Sequence, residues 1–262
     1  MTQIGGSTAQ RSIVVPGRAR AAFTLSWGAA TDIGRRRDHN QDSLLAMSPI
    51  FAVADGMGGH SSGDVASAAV VTRLAEVIAS EFTEQDAIER GLRAATADIM
   101  LAEDEQQVGV GTTVTGAALT LHGGAPFWAV FNIGDSRVYA FEHNELAQVT
   151  VDHSVVQEMV DAGLISAEQA ETHPDNNIIT RAVGFNADPI PDYWLIPVRS
   201  GLRLLLCSDG LNKEVGDERL RLHLAAGLSA GETARALIDA ALAAGGRDNV
   251  TAVVVDVVAS HS

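Results

Sequence analysis

Among its 262 residues the chain holds a single cysteine, Cys207. No disulfide can form within it, and a zinc site built from several cysteines is excluded. A reducing, cytoplasmic setting fits. Long apolar runs are missing too. Nothing approaches the roughly 18 residues that a helix needs to cross a bilayer. Residues 1–20 offer only Ile13-Val14-Val15, too short for a signal-peptide core, and residues 1–22 read as a mobile lead-in. Basic residues are scarce: Lys and Arg number 18 against 33 Asp and Glu, for a net charge of −15. That balance argues against nucleic acid, where affinity comes from neutralising phosphates, and against a polybasic membrane contact. His122, His143, His153, His173, His223 and His261 share no metal-ligand spacing. No repeat or low-complexity linker divides the chain, so residues 23–260 read as one domain.

Apolar residues make up 46% of the chain, enough for a full core. Short runs rich in β-branched residues and bounded by turn formers read as strands at 50–54, 112–121, 127–133, 202–207 and 250–258. Thr113, Thr115, Ala117 and Leu119 alternate with Val114, Gly116, Ala118 and Thr120, which would give that strand two different faces. Helical spacing appears at 64–82 and 83–104, with Thr83 as N-cap of the second. A third helix at 230–244 is announced by the capping box Ser229-x-x-Glu232 and stopped by Gly245-Gly246. A polar stretch at 154–177 breaks the strand pattern and reads as a flap. Hairpins with segregated helices suggest an α+β fold of stacked sheets with helices outside.

The chemical signal is a repeated one. Apolar runs lead into Asp55-Gly56, into Gly134-Asp135-Ser136 and into Ser208-Asp209-Gly210, and Asp248-Asn249 opens the last strand. Asp-Gly and Asp-Asn are ordinary turn formers. Four of them at strand ends are different, because carboxylates converging on one sheet edge repel unless divalent cations sit between them. Oxygen ligands without a His or Cys cluster select magnesium or manganese. Glycine after Asp55 lets the backbone approach closely, so its carbonyl could join the ligands. Arg35-Arg36-Arg37 makes a local positive site in an acidic chain. An arginine fork suits two phosphate oxygens, although a solvated basic turn would carry the same residues.

With these residues the chain resembles the metal-dependent serine/threonine protein phosphatases of type 2C. The motifs stand in the family's order: Arg37-Asp-His-Asn-Gln-Asp-Ser43, Ala54-Asp-Gly-Met-Gly-Gly-His60, Gly111-Thr-Thr113, Asn132-Ile-Gly-Asp-Ser-Arg137, Cys207-Ser-Asp-Gly210 and Gly246-Arg-Asp-Asn-Val-Thr251. The Asp-Gly-Met-Gly-Gly-His form and Thr180-Arg-Ala-Val-Gly184 look like the bacterial branch. The resemblance implies a four-layer α/β/β/α sandwich of two antiparallel sheets flanked by helix pairs. It implies two Mn2+ or Mg2+ ions, with Asp55 bridging them and the Gly56 carbonyl, Asp209 and Asp248 completing the set. Asp135 matches the aspartate that holds a third, weaker ion. Arg37 matches the phosphate-binding arginine, and Asp42 a carboxylate that orients metal-bound water. Water acidified by two cations would then attack phosphorus.

Two positions depart from the family pattern. Gln41 stands where many members have glutamate. Met57 stands where eukaryotic members carry a histidine proposed as the proton donor. His60 reads as a capping or packing residue. Cys207 lacks the arginine six residues on that a cysteine-dependent phosphatase needs, since position 213 is lysine, so it reads as a buried thiol. Gly109-Val-Gly-Thr-Thr113 lacks the lysine of a P-loop. Trp27, Trp128 and Trp194 read as core or flap residues. The implied partners are phosphorylated proteins, including a serine/threonine kinase or its targets, acted on by a monomer. A non-catalytic regulatory domain on the same fold, or a phosphatase of small phosphoesters, stays open at this point.

Overall fold

Strands buried on both faces organise the chain. The computed structural model describes residues 1–17, 22–58, 62–102, 109–186 and 188–259. In chain order the elements are β1 (Gln3–Gly5), β2 (Thr8–Val14), β3 (Ala22–Asp32), β4 (Asp42–Met47), β5 (Ile50–Met57), α1 (Ser62–Glu76), α2 (Gln85–Ala102), β6 (Gly111–Thr112), β7 (Val114–His122), β8 (Ala125–Ile133), β9 (Arg137–Glu142) and β10 (Glu145–Gln148). They continue with α3 (Val155–Asp161), α4 (Ala167–Glu171), β11 (Asp192–Pro197), β12 (Arg203–Cys207), α5 (Asp209–Asn212), α6 (Asp217–Ala225), α7 (Ala230–Ala244) and β13 (Val250–Ala259).

One sheet runs β1-β4-β5-β7-β8-β11, with β6 beside β5; the other runs β10-β9-β12-β13-β3-β2. Successive side chains of a strand point to opposite faces. On β5, Phe51 and Val53 enter a core shared with Val253 and Val255 of the other sheet, while Ile50, Ala52 and Ala54 pack beneath Val70 and Leu74 of α1 and Ile88 and Leu92 of α2. On β13, Val254 faces Leu237 and Ile238 of α7 instead. The expected four layers follow from this alternation, with the one-turn α5 joining α6 and α7 in the second outer layer. Phe51 lies between Trp27 and Trp128 at centroid distances of 5.3 and 6.0 Å, edge-on to both. Such pairs add about 0.5–1.5 kcal/mol each beyond the area they bury.

The first 17 residues are not the lead-in that composition suggests. β2 pairs antiparallel with β3, and β1 pairs parallel with β4. The physical reason is a few strong anchors in a polar stretch. Ile13 is fully buried, and the Trp27 indole N–H lies 2.7 Å from the Gly6 carbonyl and 3.1 Å from that of Ala46. Strands β3, β4, β9, β10 and β11 also exceed what the apolar runs indicated. α1 ends at Glu76 rather than at Phe82, because Phe82 packs against the central core, which lies on the other side of the first sheet. Thr83 does not cap α2; its N–H donates to the Leu119 carbonyl at 2.7 Å. α7 and its capping box lie where the spacing predicts them.

Antiparallel register then gathers particular ends. Asp42, the first residue of β4, stands opposite Asp55 near the end of β5. Asp32 at the end of β3 stands opposite Val250 at the start of β13, and Arg137 at the start of β9 opposite Cys207 at the end of β12. Every aspartate singled out above therefore falls at one end of the sandwich.

Candidate metal centre

Local chemistry fixes each carboxylate before any ion is considered. The Asp55 backbone is clamped by the Gly111-Thr-Thr113 motif. Its N–H donates to Thr113 Oγ1 at 3.0 Å, and its carbonyl accepts from Thr113 N–H and Thr112 Oγ1, both at 2.9 Å. Gly56 follows because nothing larger fits: a Cβ there would lie 1.9 Å from the Gly63 carbonyl oxygen. Asp135 sits in the tight turn between β8 and β9. Asp209 opens α5, separated from β12 by Ser208 alone, and Asp248 precedes β13 by two residues.

Arg37 lies in the loop between β3 and β4, half exposed, with Nη2 2.7 Å from Asp248 Oδ2. That hydrogen bond, ahead of the opposing effect of burial, raises the guanidinium further above its ordinary value, with Asp55 and Asp209 adding to it. Asn249 pins the loop. Its Nδ2 donates to the Ile33 and His39 carbonyls at 2.9 and 3.0 Å, and its Oδ1 accepts the Gln41 N–H at 2.8 Å. The Arg37 segment is thus held on β13, next to Asp248.

Arg37, Asp55, Gly56, Asp135, Asp209 and Asp248 all line one cleft of about 1050 Å³, joined on its rim by residues of 154–177. Asp42 does not line it. Fully buried behind the cleft, it accepts from Ser208 Oγ at 2.8 Å and Thr251 Oγ1 at 2.6 Å, so a carboxylate of the first sheet is bonded to the second. Gln41 and Met57 line the cleft, and His60 lies outside the described residues. Cys207 is buried, as its strand position implies. Trp27 and Trp128 are core residues, and Trp194 packs partly buried against the same core.

The electrostatics are unfavourable for carboxylates left to themselves. Burial pushes Asp55 well above the usual carboxylate range, and Asp42, Asp209, Asp135 and Asp248 push it further. Burial likewise raises Asp42 against the lowering effect of its two hydroxyl donors, and raises Asp135 with Asp209 adding to it. Among the described residues, Asp209 Oδ1 and Asp42 Oδ1 are buried without a hydrogen-bond partner. Orphaned carboxylate oxygens in mutually repelling carboxylates fit hard divalent ions, which take oxygen donors and retain water. Among the described residues no three His, Cys, Asp or Glu side chains close into a cage of their own, so backbone oxygen and water would have to contribute. Gly56 lines the cleft directly beside Asp55. A third ion at Asp135 fits less well, because a side-chain cation is already there.

That cation is Lys213, which the sequence reading passed over. Its Nζ lies 2.6 Å from Asp209 Oδ2, 3.4 Å from Asp135 Oδ2 and 2.9 Å from Asn177 Oδ1. The signal that could have found it is the i, i+4 spacing of Asp209 and Lys213 on a helix.

His153 supports the turn that carries Asp135. Its Nδ1 accepts the Gly134 N–H at 3.0 Å, its own N–H donates to the Gly134 carbonyl at 2.9 Å, and its Nε2 lies 3.1 Å from Asp192 Oδ2. A ring that accepts at Nδ1 is not the doubly protonated cation, and Arg181 Nη1, 2.9 Å from Nε2, faces the ring as a second charged neighbour. Burial lowers its pKa below the ordinary 6.5 in spite of Asp192. As pH falls below that ordinary value the unfolded chain takes the proton first, so the stability His153 contributes is full above it and is lost toward the folded value. His153→Asn keeps an acceptor for Gly134 but cannot titrate. The stability difference between wild type and variant, read from urea midpoints, should therefore shrink between about pH 7 and about pH 5. A gap that stays constant would count against this reading.

Comparison with known proteins points the same way. A family model described as Protein phosphatase 2C matches residues 34–244. The serine/threonine protein phosphatase PstP of Mycobacterium tuberculosis is 39% identical over 246 residues, covering 92% of this chain and 46% of that protein. This chain thus spans about half the length of those mycobacterial relatives. The serine/threonine phosphatase stp of Listeria welshimeri is 36% identical over 239 residues, covering 86% of this chain and 93% of that protein. A solved structure of the PstP catalytic domain in complex with two manganese ions superposes with a TM-score of 0.78 at 36% identity, covering 89% of this chain and 98% of that one.

Proposed function

Because the chain belongs to the protein phosphatase 2C family, we propose that it hydrolyses phosphoserine and phosphothreonine in proteins at a centre of two divalent ions, manganese or magnesium. The observation that carries this reading is the meeting of Asp55, Asp209, Asp248 and Arg37 on one cleft. Asp55, the Gly56 carbonyl, Asp209 and Asp248 would hold the ions. Bound there, such ions acidify water to a nucleophile and offset charge on the phosphoryl group.

The chain's own residues do the rest. Arg37 gives one N–H to Asp248 and keeps the remainder of its fork for phosphoryl oxygens, holding phosphorus in line for attack. Asp42, fixed by Ser208 and Thr251, offers its second oxygen to orient water. In the reaction water adds to phosphorus, the P–O bond to the serine or threonine oxygen breaks, and that oxygen takes up a proton. Met57 has no proton to give. The segment 154–177 on the rim would shape access as a flap around a phosphoprotein, whether a serine/threonine kinase or one of its targets. No helix among the described residues is long and apolar enough to cross a membrane, and we propose action in the cytoplasm, as a monomer.

A purified, metal-stripped sample should hydrolyse a phosphothreonine peptide only after Mn2+ or Mg2+ is added. An equal rate in chelator would refute the reading. Preference for small phosphoesters over phosphopeptides would instead leave the chemistry and change the substrate.

A further inference from the structure

We propose that Lys213 is the built-in third cation of this centre. Its ammonium, bonded to Asp135 and Asp209, takes the place beside Asp135 that family resemblance gives to a third divalent ion, so the protein loads two ions and not three. The inference rests on the two-ion reading above and goes beyond it.

Geometry carries it. One nitrogen meets an oxygen of each carboxylate, at 2.6 Å for Asp209 and 3.4 Å for Asp135, with the Asn177 amide oxygen as a third acceptor at 2.9 Å. An ammonium has three N–H donors, and these three acceptors use them all. The side chain is not a loose surface lysine. It is 31% exposed, and its own N–H donates to the Asp209 and Leu211 carbonyls at the end of α5, so its root is fixed to the helix that Asp209 begins. Asp135 is 6% exposed, in a turn held by His153. Neither end of the bridge can move far.

Charge explains why an ammonium serves here. Asp135 and Asp209 are like charges in a half-enclosed cleft, and one positive charge between them offsets that repulsion. A third divalent ion would have to displace an attached ammonium whose local concentration does not fall when free metal is scarce. Asn177 adds a consequence. It lies at the end of the 154–177 segment, so Lys213 ties the rim of the cleft to the carboxylates beneath it. A mobile divalent ion would set that tie only when present, whereas Lys213 sets it permanently.

The test counts ions instead of turnover. Equilibrium dialysis against Mn2+, with free ion read by electron paramagnetic resonance, should give two ions per chain for the wild type. Lys213→Ala removes the ammonium and should admit a third ion, and Lys213→Arg, which keeps a cation, should return to two. In the Lys213→Ala background, Asp135→Asn should abolish the extra ion, which locates it. Thermal melts of each variant without metal confirm folding. Three ions in the wild type, or only two in Lys213→Ala, would overturn the proposal. No Mn2+ bound by a folded wild type would overturn the metal reading itself, and this proposal with it.

Discussion

Asp55→Asn should lower kcat/KM for a phosphopeptide by about 1,000-fold or more, the scale set by losing several kcal/mol of metal-derived stabilisation at about 1.4 kcal/mol per tenfold. No other carboxylate lining the cleft is proposed to serve both ions, so its loss should weaken both. Asparagine has nearly the same shape, and the backbone there is held by Thr112 and Thr113, so the side chain should stay in place. The fold should not suffer. Asp55 is raised above its unfolded value by burial and by neighbouring carboxylates, so its ionisation costs stability as pH rises through the ordinary carboxylate range and beyond. A neutral amide removes that cost, and the metal-free variant should melt no lower than wild type at about pH 8. Steady-state kinetics and a thermal melt on the same samples decide the matter. A rate within tenfold of wild type, or a large fall in melting temperature, would contradict the assigned role.

The largest stability effect should come from Gly28→Ala, on β3 and away from the carboxylates. Gly28 stands opposite Val254 of β13, and the first turn of α7 rests directly on it. A Cβ at Gly28 would lie 2.2 Å from Gly231 Cα and 2.4 Å from its nitrogen, against the roughly 3.5–4.0 Å of a comfortable carbon contact. The obstacle is helix backbone, so no side-chain rotation can relieve it. α7 would have to lift, loosening Leu237, Ile238 and Ala241 from Leu205 and Val254. Overpacking of this kind costs about 3 kcal/mol at its upper range, which for a chain of this length lowers the melting temperature by about 6–12 °C. Gly231→Ala makes the contrast, since its Cβ would meet nothing closer than Ser7 Oγ at 3.7 Å. That substitution should be neutral or stabilising by up to about 1 kcal/mol. Calorimetry of the two variants tests the asymmetry; equal melting points would remove the packing argument.

Some of this architecture could be read before folding was considered, for physical reasons. Capping is local, so Ser229 and Glu232 marked the start of α7 within a few residues of sequence. The runs at 50–54 and 250–258 stood out because their strands are buried on both faces and need apolar residues throughout. The candidate metal ligands stood out because each is an aspartate beside a glycine, serine or asparagine at the end of such a run. β1 and β2 were hidden, since their pairing depends on Ile13 and on an indole that arrives from β3. The end of α1 was hidden as well, because Phe82 is apolar in the helical rhythm yet belongs to the other side of the sheet.

The sequence by itself determined which residue types could gather a hard cation and a phosphate, because carboxylates and an arginine fork carry that chemistry wherever they stand. Only the tertiary structure decided how they divide the work. Antiparallel register brought Asp42 opposite Asp55, and the stacking of the sheets then set it against Ser208 and Thr251, behind the cleft instead of on it. The turn after β8 and the first turn of α5 brought Asp135 and Asp209 to either side of Lys213. Those are contacts between residues up to 209 positions apart in the chain, and electrostatic interaction depends on distance in space, which no local pattern encodes.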